Sequence, residues 1–410
     1  MSANAVFPKI LSFEDARQVV EEHALQLPPG RVERLELLEA VGRVLAEPIH
    51  ADRDFPPFAR AARDGYAVRA ADLTEVPAQL EVVGEIRAGA FFDIPGGLAP
   101  GQAVAIMTGA PAPRGSDAVV MVEYTIARGN RVEVVRSIAP QENIVAQGSE
   151  ARAGDLLLPP GSRLDEAATA IAVAVGKSRV QVYRKPAVAV MATGDEIVSI
   201  ETVPGPTQIR NSNSYSLAAQ ILAAGAQPRC LPVAPDQADR LRELLVAGLE
   251  SDLLLVAGGV SMGKYDLVER VLAELGAELF FTGSEIQPGR PIVFGRIRDR
   301  YFFGLPGNPV STMVTFELFV RPMLAALSGM KIRKPVFVYA RLRAEIKSKT
   351  GLKRFLPAIL SGAFERAEVE LAGWHGSGDI ASVARANCYL VIPPDRPHIT
   401  AGEWVPVLLR

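Results

Sequence analysis

Between residues 185 and 327, apolar strand-like runs, helical runs and glycine turns alternate in strict order. Residues 187–191 form a short β-rich run ending at Thr193-Gly194, and from Asn213 to residue 224 apolar side chains recur at helical spacing. A continuous apolar strand follows at 252–257, broken by Gly258-Gly259-Val260-Ser261-Met262-Gly263 ahead of a helical stretch at 267–275. Residues 301–303, the turn Gly304-Leu305-Pro306-Gly307-Asn308-Pro309 and a helix at 310–327 repeat the plan. Continuous apolar strands separated by helices are what a parallel sheet covered on both faces requires. Ligands of such sheets sit where strand C-termini meet loops, which puts both glycine loops on one rim.

The flanks have a different texture. Ser12-Phe13-Glu14-Asp15 has the pattern of a capping box opening a helix that runs to about residue 24. Pro28-Pro29-Gly30 stops it, a β-like run at 31–37 follows, and 38–45 predicts a short helix. From 49 to about 140 come short β-rich runs at 80–86, 103–107, 118–124 and 131–135, punctuated by Gly and Pro, which predicts a small all-β domain. An Ala-rich helix is expected at 165–175, and the residues after Lys331 to Lys334 are again β-rich. The expected organisation is a mixed α/β linker domain from 10–48 plus 141–178, an inserted β-rich domain at 49–140, an α/β core of three layers around a mostly parallel sheet at 179–329, and a C-terminal β-domain at 330–410.

Composition narrows the function classes. At 410 residues the chain exceeds one hydrophobic core, so roughly 2 to 4 domains are expected. Hydrophobic residues at 49% and charged ones at 22% describe an ordinary globular protein, and 44 Lys+Arg against 46 Asp+Glu give no nucleic-acid surface. Cys230 and Cys388, far apart, predict neither a disulfide framework nor a thiolate metal site, and fit a reducing cytoplasm. The first ten residues lack a long apolar run, and no stretch reaches the ~18 uncharged apolar residues of a membrane span, so neither export nor a membrane is expected.

Candidate chemistry gathers at the loops. Gly258 to Lys264 has the spacing of a phosphate-cradling P-loop in the right strand-to-helix context, but Tyr265 stands where a Ser or Thr would ligate magnesium. Anion binding by loop amides is favoured over nucleotide hydrolysis, and a tight turn that only packs glycine against the sheet is the plain alternative. Asp195-Glu196, Asp236 and Asp266 each follow a strand or its loop. Carboxylates on one rim without histidine suit magnesium, whereas each taken singly is equally a helix cap or a solvated charge. His23, His50, His375 and His398 are scattered, which argues against zinc.

The runs Ile106-Met107-Thr108-Gly109-Ala110-Pro111, Ala192-Thr193-Gly194-Asp195-Glu196, the Gly258 loop and Gly304 to Ser311 resemble the signatures of the molybdopterin molybdenumtransferases, the family that also includes gephyrin's C-terminal domain. Asp64-Gly65-Tyr66-Ala67 and Gly376-Ser377-Gly378-Asp379 extend the likeness over nearly the whole chain in order. The resemblance implies the last step of molybdenum cofactor synthesis, in which adenylylated molybdopterin is hydrolysed and molybdate enters the dithiolene. It carries magnesium and hydrolysis roles to Glu196, Asp236 and Asp266, and further catalytic roles to Asp64, Thr108 and Glu150. Binding roles fall on Thr193, Gly194, Asn213, Gly258, Gly259, Ser261, Gly263, Gln287, Arg290, Pro291, Pro306, Gly307, Asn308, Arg354 and Ser377. It also implies a homodimer whose β-domain, with Asp64 and Thr108, completes the partner's site, and a molybdopterin adenylyltransferase as upstream partner. Two other functions share parts of this resemblance: adenylylation of molybdopterin, which needs only the core fold, and a gephyrin-like scaffold.

Departures from the family pattern are local. Gln287-Pro288-Gly289-Arg290-Pro291 replaces Lys-Pro-Gly-Lys-Pro, so one molybdate-facing cation becomes a neutral amide. Glu150 stands where Asp is frequent, and Arg60 and Arg63 replace the usual Ser and Met before Asp64. Those two arginines either alter pterin or interface contacts or form an exposed basic loop.

Overall fold

The computed structural model describes residues 9–28, 30–90, 94–259, 267–332, 334–363 and 365–410. Two compact units emerge: one comprises residues up to 35, 39–46 and 181–410, and the other comprises 36–38 with 47–180.

The first unit is built on a six-stranded sheet with the order Gln227–Cys230, Ala187–Ala192, Leu253–Ala257, Arg300–Leu305, Val293–Ile297, Glu278–Phe281. The first four strands are parallel, and the last two join antiparallel. Successive side chains of a strand point to opposite faces, and both faces here are apolar. Val188, Val190, Leu253, Leu255 and Phe303 enter one core, while Ala189, Met191, Leu254, Val256 and Phe302 enter the other. The first core is covered by helices Phe13–Leu25 and Ser212–Ala223 and by the stretch Pro309–Leu327, the second by helices Ala238–Gly248 and Leu267–Glu274. This is the three-layer α/β core expected from the alternation of runs.

Helix Phe13–Leu25 starts as its capping box predicts: the Asp15 amide donates to Ser12 Oγ at 3.1 Å and the Ser12 hydroxyl donates to the Asp15 carboxylate at 2.8 Å. The short helix expected at 38–45 does not form. Gly42 takes a φ of +79°, a conformation that closes turns, and Leu45 bridges to Val182 instead.

The 19 residues Pro309–Leu327 are long and apolar enough to cross a membrane by length and composition, but most of them lie inside this core. The stretch is not a uniform helix, for Phe316–Val320 form one wide π turn. Pro322 has no N–H to offer the turn before it. The Leu318 carbonyl in that turn takes a hydrogen bond from Arg17 Nη1 at 2.5 Å, and Arg17 is itself paired with Glu21.

The C-terminal β-domain belongs to the same unit. Strands Lys353–Ala363, Arg366–Leu371, Phe337–Leu342, Trp404–Leu409 and Cys388–Ile392 pair in that order, and the last pairs back with the first, closing a small barrel without open edges. Ile286–Gln287 adds to it in parallel, in register with Lys353 and Arg354, and so ties the barrel to the core sheet.

In the second unit six strands order as Ala118–Met121, Gly65–Val68, Gln102–Ile106, Ala78–Ile86, Arg131–Val134, Thr125–Arg128. Val119 and Ala67 face one core while Val120 and Val68 face another. The expected β-runs are all present. The Ala-rich helix spans Glu166–Ala174 with Asp165 as its cap.

Arg17→Met should cost about 1–3 kcal/mol, the penalty for leaving a buried carbonyl without a donor. The loss should shrink in the Arg17→Met/Pro322→Ala double variant, where an amide is restored to the helix. Denaturant unfolding of the four proteins measures the cycle, and equal losses with and without Pro322 would refute the coupling.

Candidate active site

The C-terminal ends of three core strands, and the segment after a fourth, are stitched together by backbone hydrogen bonds. Thr193 N–H donates to the Ala257 carbonyl at 3.1 Å, Gly194 N–H to Ala234 at 3.2 Å, and Gly258 N–H to Leu305 at 3.0 Å. Gly258 has φ +94°, and a Cβ there would stand 2.9 Å from the Thr193 carbonyl oxygen. On Gly307 a Cβ would lie 3.7 Å from Gly258 Cα, so the two glycine loops meet backbone to backbone, on one rim as the sequence predicts. Ser261, Gly263, Lys264, Tyr265 and Asp266 lie outside the described residues.

Above these loops opens a cavity of about 800 Å³. Thr193, Gly258, Gly259, Pro306, Gly307 and Asn308 line its base, and Asn213, Gln287, Arg290, Pro291 and Ser377 its walls. Side chains lock these pieces to one another. Asn213 Nδ2 donates to the Gly307 carbonyl at 2.7 Å, leaving its buried Oδ1 without a partner. Asn308 Nδ2 donates to Ser377 Oγ at 2.8 Å, and Val310 N–H donates to the Ser377 carbonyl at 3.0 Å. Of the binding residues expected from the sequence, Gly194 and Arg354 are the described ones that do not line the cavity. Gly194 is the turn beneath Glu196. Arg354 is in register with Gln287, and its Nη2 donates to the Lys349 carbonyl at 3.0 Å while its buried Nε has no partner.

The carboxylates gather on one side. Glu196 lines the cavity, folded so closely over Gly194 that a Cβ on the glycine would meet the Glu196 carboxylate at 2.4 Å. Asp236 N–H donates to Asp195 Oδ1 at 3.1 Å, which brings the two loops together. Partial burial, then the charges of Asp195 and Glu196, push the Asp236 carboxyl above the ordinary aspartate range, against a bond from Thr193. Among the described residues, no three His, Cys, Asp or Glu side chains form a ready metal cage.

Arg210 and Trp374 are among the cavity residues that escaped sequence reasoning. Arg210 ends the two-residue strand Ile209–Arg210, which pairs with Ile197–Val198, and it lines the wall that also carries Asn213. Its position directly before the helix-opening Asn211-Ser212-Asn213 was the available signal. Trp374 lines the cavity with its indole nitrogen buried and without a partner.

The second unit holds the remaining expected residues. Thr108 donates to Asp64 Oδ1 twice, from its N–H at 2.6 Å and its hydroxyl at 2.8 Å, and these bonds hold the Asp64 carboxyl below its usual range. Glu150 accepts from Arg60 Nη2 at 3.1 Å, so Arg60 is more than a bare basic loop residue. Arg63 is exposed.

Three family models match the chain in order. Residues 11–176 match the MoeA N-terminal region (domain I and II), 189–326 a probable molybdopterin binding domain, and 339–409 the MoeA C-terminal region (domain IV). The chain is 37% identical to the molybdopterin molybdenumtransferase of Nostoc sp. over 92% of its own length and 88% of the relative's. It is 34% identical to that of Bacillus subtilis over 93% and 90%. The crystal structure of the molybdopterin biosynthesis moeA protein from Pyrococcus horikoshii OT3 superposes with a TM-score of 0.79 at 31% identity, covering 98% of this chain and all of that one. By this likeness over nearly its full length, the chain belongs to the molybdopterin molybdenumtransferase family.

Proposed function

We propose that the cavity binds adenylylated molybdopterin, hydrolyses its pyrophosphate link with the help of magnesium, and accepts molybdate for insertion into the dithiolene. The observation that carries this reading is the union, in one cavity, of glycine loops that bare their backbone, the Glu196 carboxylate, whose loop is tied to that of Asp236 through the bond to Asp195, and the Gln287–Arg290 loop. Bare backbone lets a phosphate approach closely, and the Arg290 guanidinium offers a planar fork of donors to an oxyanion.

Magnesium fits the residues present. The donors are oxygen only, and burial first, then the charges of Asp195 and Glu196, disfavour ionisation of Asp236, a repulsion among carboxylates that a divalent cation relieves. The lack of a ready cage among the described residues suits an ion that keeps several waters and takes one or two carboxylates plus phosphate oxygens. Glu196, Asp236 and Asp266 would hold it, and bound there it would neutralise charge building on the pyrophosphate. Meanwhile Asn213 fixes the Gly307 loop and Asn308 fixes Ser377, so the surfaces facing both anions are set before they bind.

The same reading includes a homodimer in which Asp64, Thr108 and Glu150 of one subunit serve the other's cavity. It also includes a molybdopterin adenylyltransferase as the upstream supplier of substrate. A cytoplasmic setting agrees with the free thiols of Cys230 and Cys388.

Glu196→Gln and Asp236→Asn should each lower AMP release from adenylylated molybdopterin by about 10²–10³-fold, the scale of losing charge stabilisation in a transition state. Magnesium should raise the wild-type Tm more than that of Asp236→Asn. Wild-type rates in either variant would remove that carboxylate from the reaction.

Losing a cation beside molybdate forfeits ~1 to 4 kcal/mol of attraction before salt and desolvation reduce it. Gln287→Lys should therefore lower the molybdate concentration for half-maximal insertion, and Arg290→Ala should raise it strongly. A molybdate titration decides, and an unchanged midpoint in Arg290→Ala would exclude this loop from the oxyanion site.

Mixing Asp64→Ala subunits with Asp236→Asn subunits should restore part of the activity, because one of the two heterodimer sites is then intact. Proven heterodimers without recovered activity would mean that each site is built from a single chain.

A further inference from the structure

We infer that Arg210 is the phosphate-binding residue of the cavity, gripping the phosphates of the molybdopterin substrate while Arg290 is left to molybdate. This rests on the reaction proposed above and assigns its two anions to arginines on two separate elements.

Among the described residues, the charged side chains lining the cavity are Glu196, Arg210 and Arg290. Neither arginine comes within the 4.0 Å of an ion pair to any described carboxylate, unlike Arg60, Arg296 or Arg343. A guanidinium that faces a concave site without a carboxylate partner keeps its donors for an anion from solution.

The two arginines reach the cavity from different elements. Arg290 sits in the loop after Ile286–Gln287, the strand that joins the C-terminal barrel in register with Arg354. Arg210 ends the strand Ile209–Arg210, whose place is fixed on both sides: Ile209 N–H donates to the Glu196 carbonyl and Asn211 N–H to the Val198 carbonyl, each at 2.9 Å. Asn211 then caps helix Ser212–Ala223 by accepting from the Ser214 amide at 3.1 Å.

The Arg210 side chain is also oriented. Its Nε donates to the Ile200 carbonyl at 3.0 Å, which ties down the inner edge of the guanidinium and leaves both Nη groups for a ligand. Two Nη groups side by side match two oxygens of one phosphate. Molybdate and a phosphate chain repel each other, so a cavity that takes both is served by cations on separate elements. Arg290 supplies one, and Arg210 supplies the other.

Steady-state kinetics of AMP release test the assignment. Arg210→Ala should raise KM for adenylylated molybdopterin by about ten- to a hundredfold, the scale of a hydrogen bond to a charged group, with kcat changed far less. Its molybdate midpoint should stay at the wild-type value. Arg210→Lys should recover part of the loss, which also shows that the fold tolerates change there. Inorganic pyrophosphate should inhibit the wild type, with its inhibition constant raised by a similar factor in Arg210→Ala and little changed in Arg290→Ala. An unchanged KM and inhibition constant in Arg210→Ala, or a shift in the molybdate midpoint alone, would overturn the inference. A wild-type protein that binds pyrophosphate through Arg210 yet releases no AMP would overturn the reaction and keep the phosphate site.

Discussion

The close approach of backbone at the ends of the core strands is the constraint on which the site depends. Gly258 sits so near the Thr193 carbonyl that a side chain at 258 would have to displace the loop following Ala187–Ala192. Its neighbour Gly259, at φ +65°, leaves no more room: a Cβ there would stand 2.4 Å from Val268. The base of the cavity is therefore bare peptide, and the groups that discriminate between ligands must come from the walls. That division explains why the glycine loops resemble the family signatures so closely while Gln287 departs from them. A change at the base breaks the sheet ends apart, whereas a change in a wall alters only what the cavity prefers.

Much of the core was legible in the sequence because its strands are buried on both faces, so each is a continuous apolar run that stands out from the helices around it. The capping box at Ser12 and the Ala-rich helix at 165–175 were legible from local pattern, although Asp165 proves to be the cap of that helix rather than its first residue. What escaped depends on partners distant in sequence. The antiparallel strands Val293–Ile297 and Glu278–Phe281 are set by pairing across the sheet, and the closure of the C-terminal barrel is set by the return of Cys388–Ile392 to Lys353–Ala363. Arg210 looked like one more surface charge, since only the two-residue pairing of 197–198 with 209–210 brings it to the cavity. The helix expected at 38–45 failed because a helical pattern of apolar residues was outweighed by one glycine at positive φ.

The stretch Pro309–Leu327 shows how much of the site's rigidity is prepared away from it. Its N-terminal end carries Asn308 and Pro309 at the cavity, the Thr312 hydroxyl donates to the Pro306 and Asn308 carbonyls just before the stretch, and the Thr315 hydroxyl donates to the Ser311 carbonyl within it. Its wide turn is served from outside by Arg17 on the N-terminal helix. With its polar groups satisfied in these ways, so apolar a segment can lie in the core and still hold its N-terminal end against Ser377 of the C-terminal domain. The N-terminal helix, the core and the barrel thus act on one short piece of backbone.

Charge in the cavity is arranged by element rather than by net amount. Among the described residues, Glu196 hangs from the loop after Ala187–Ala192, Arg210 from the short strand beside it, and Arg290 from the junction with the barrel. The Arg210 strand is bonded to the Glu196 loop, Ile209 N–H donating to the Glu196 carbonyl at 2.9 Å, whereas Arg290 comes from a separate element and can be altered on its own. The replacement of a lysine by Gln287 can then weaken the hold on one oxyanion without loosening the hold on a phosphate or the repulsion among the carboxylates. A cavity with all its charges on one loop would have no such freedom, because each substitution would change the pull on every ligand at once.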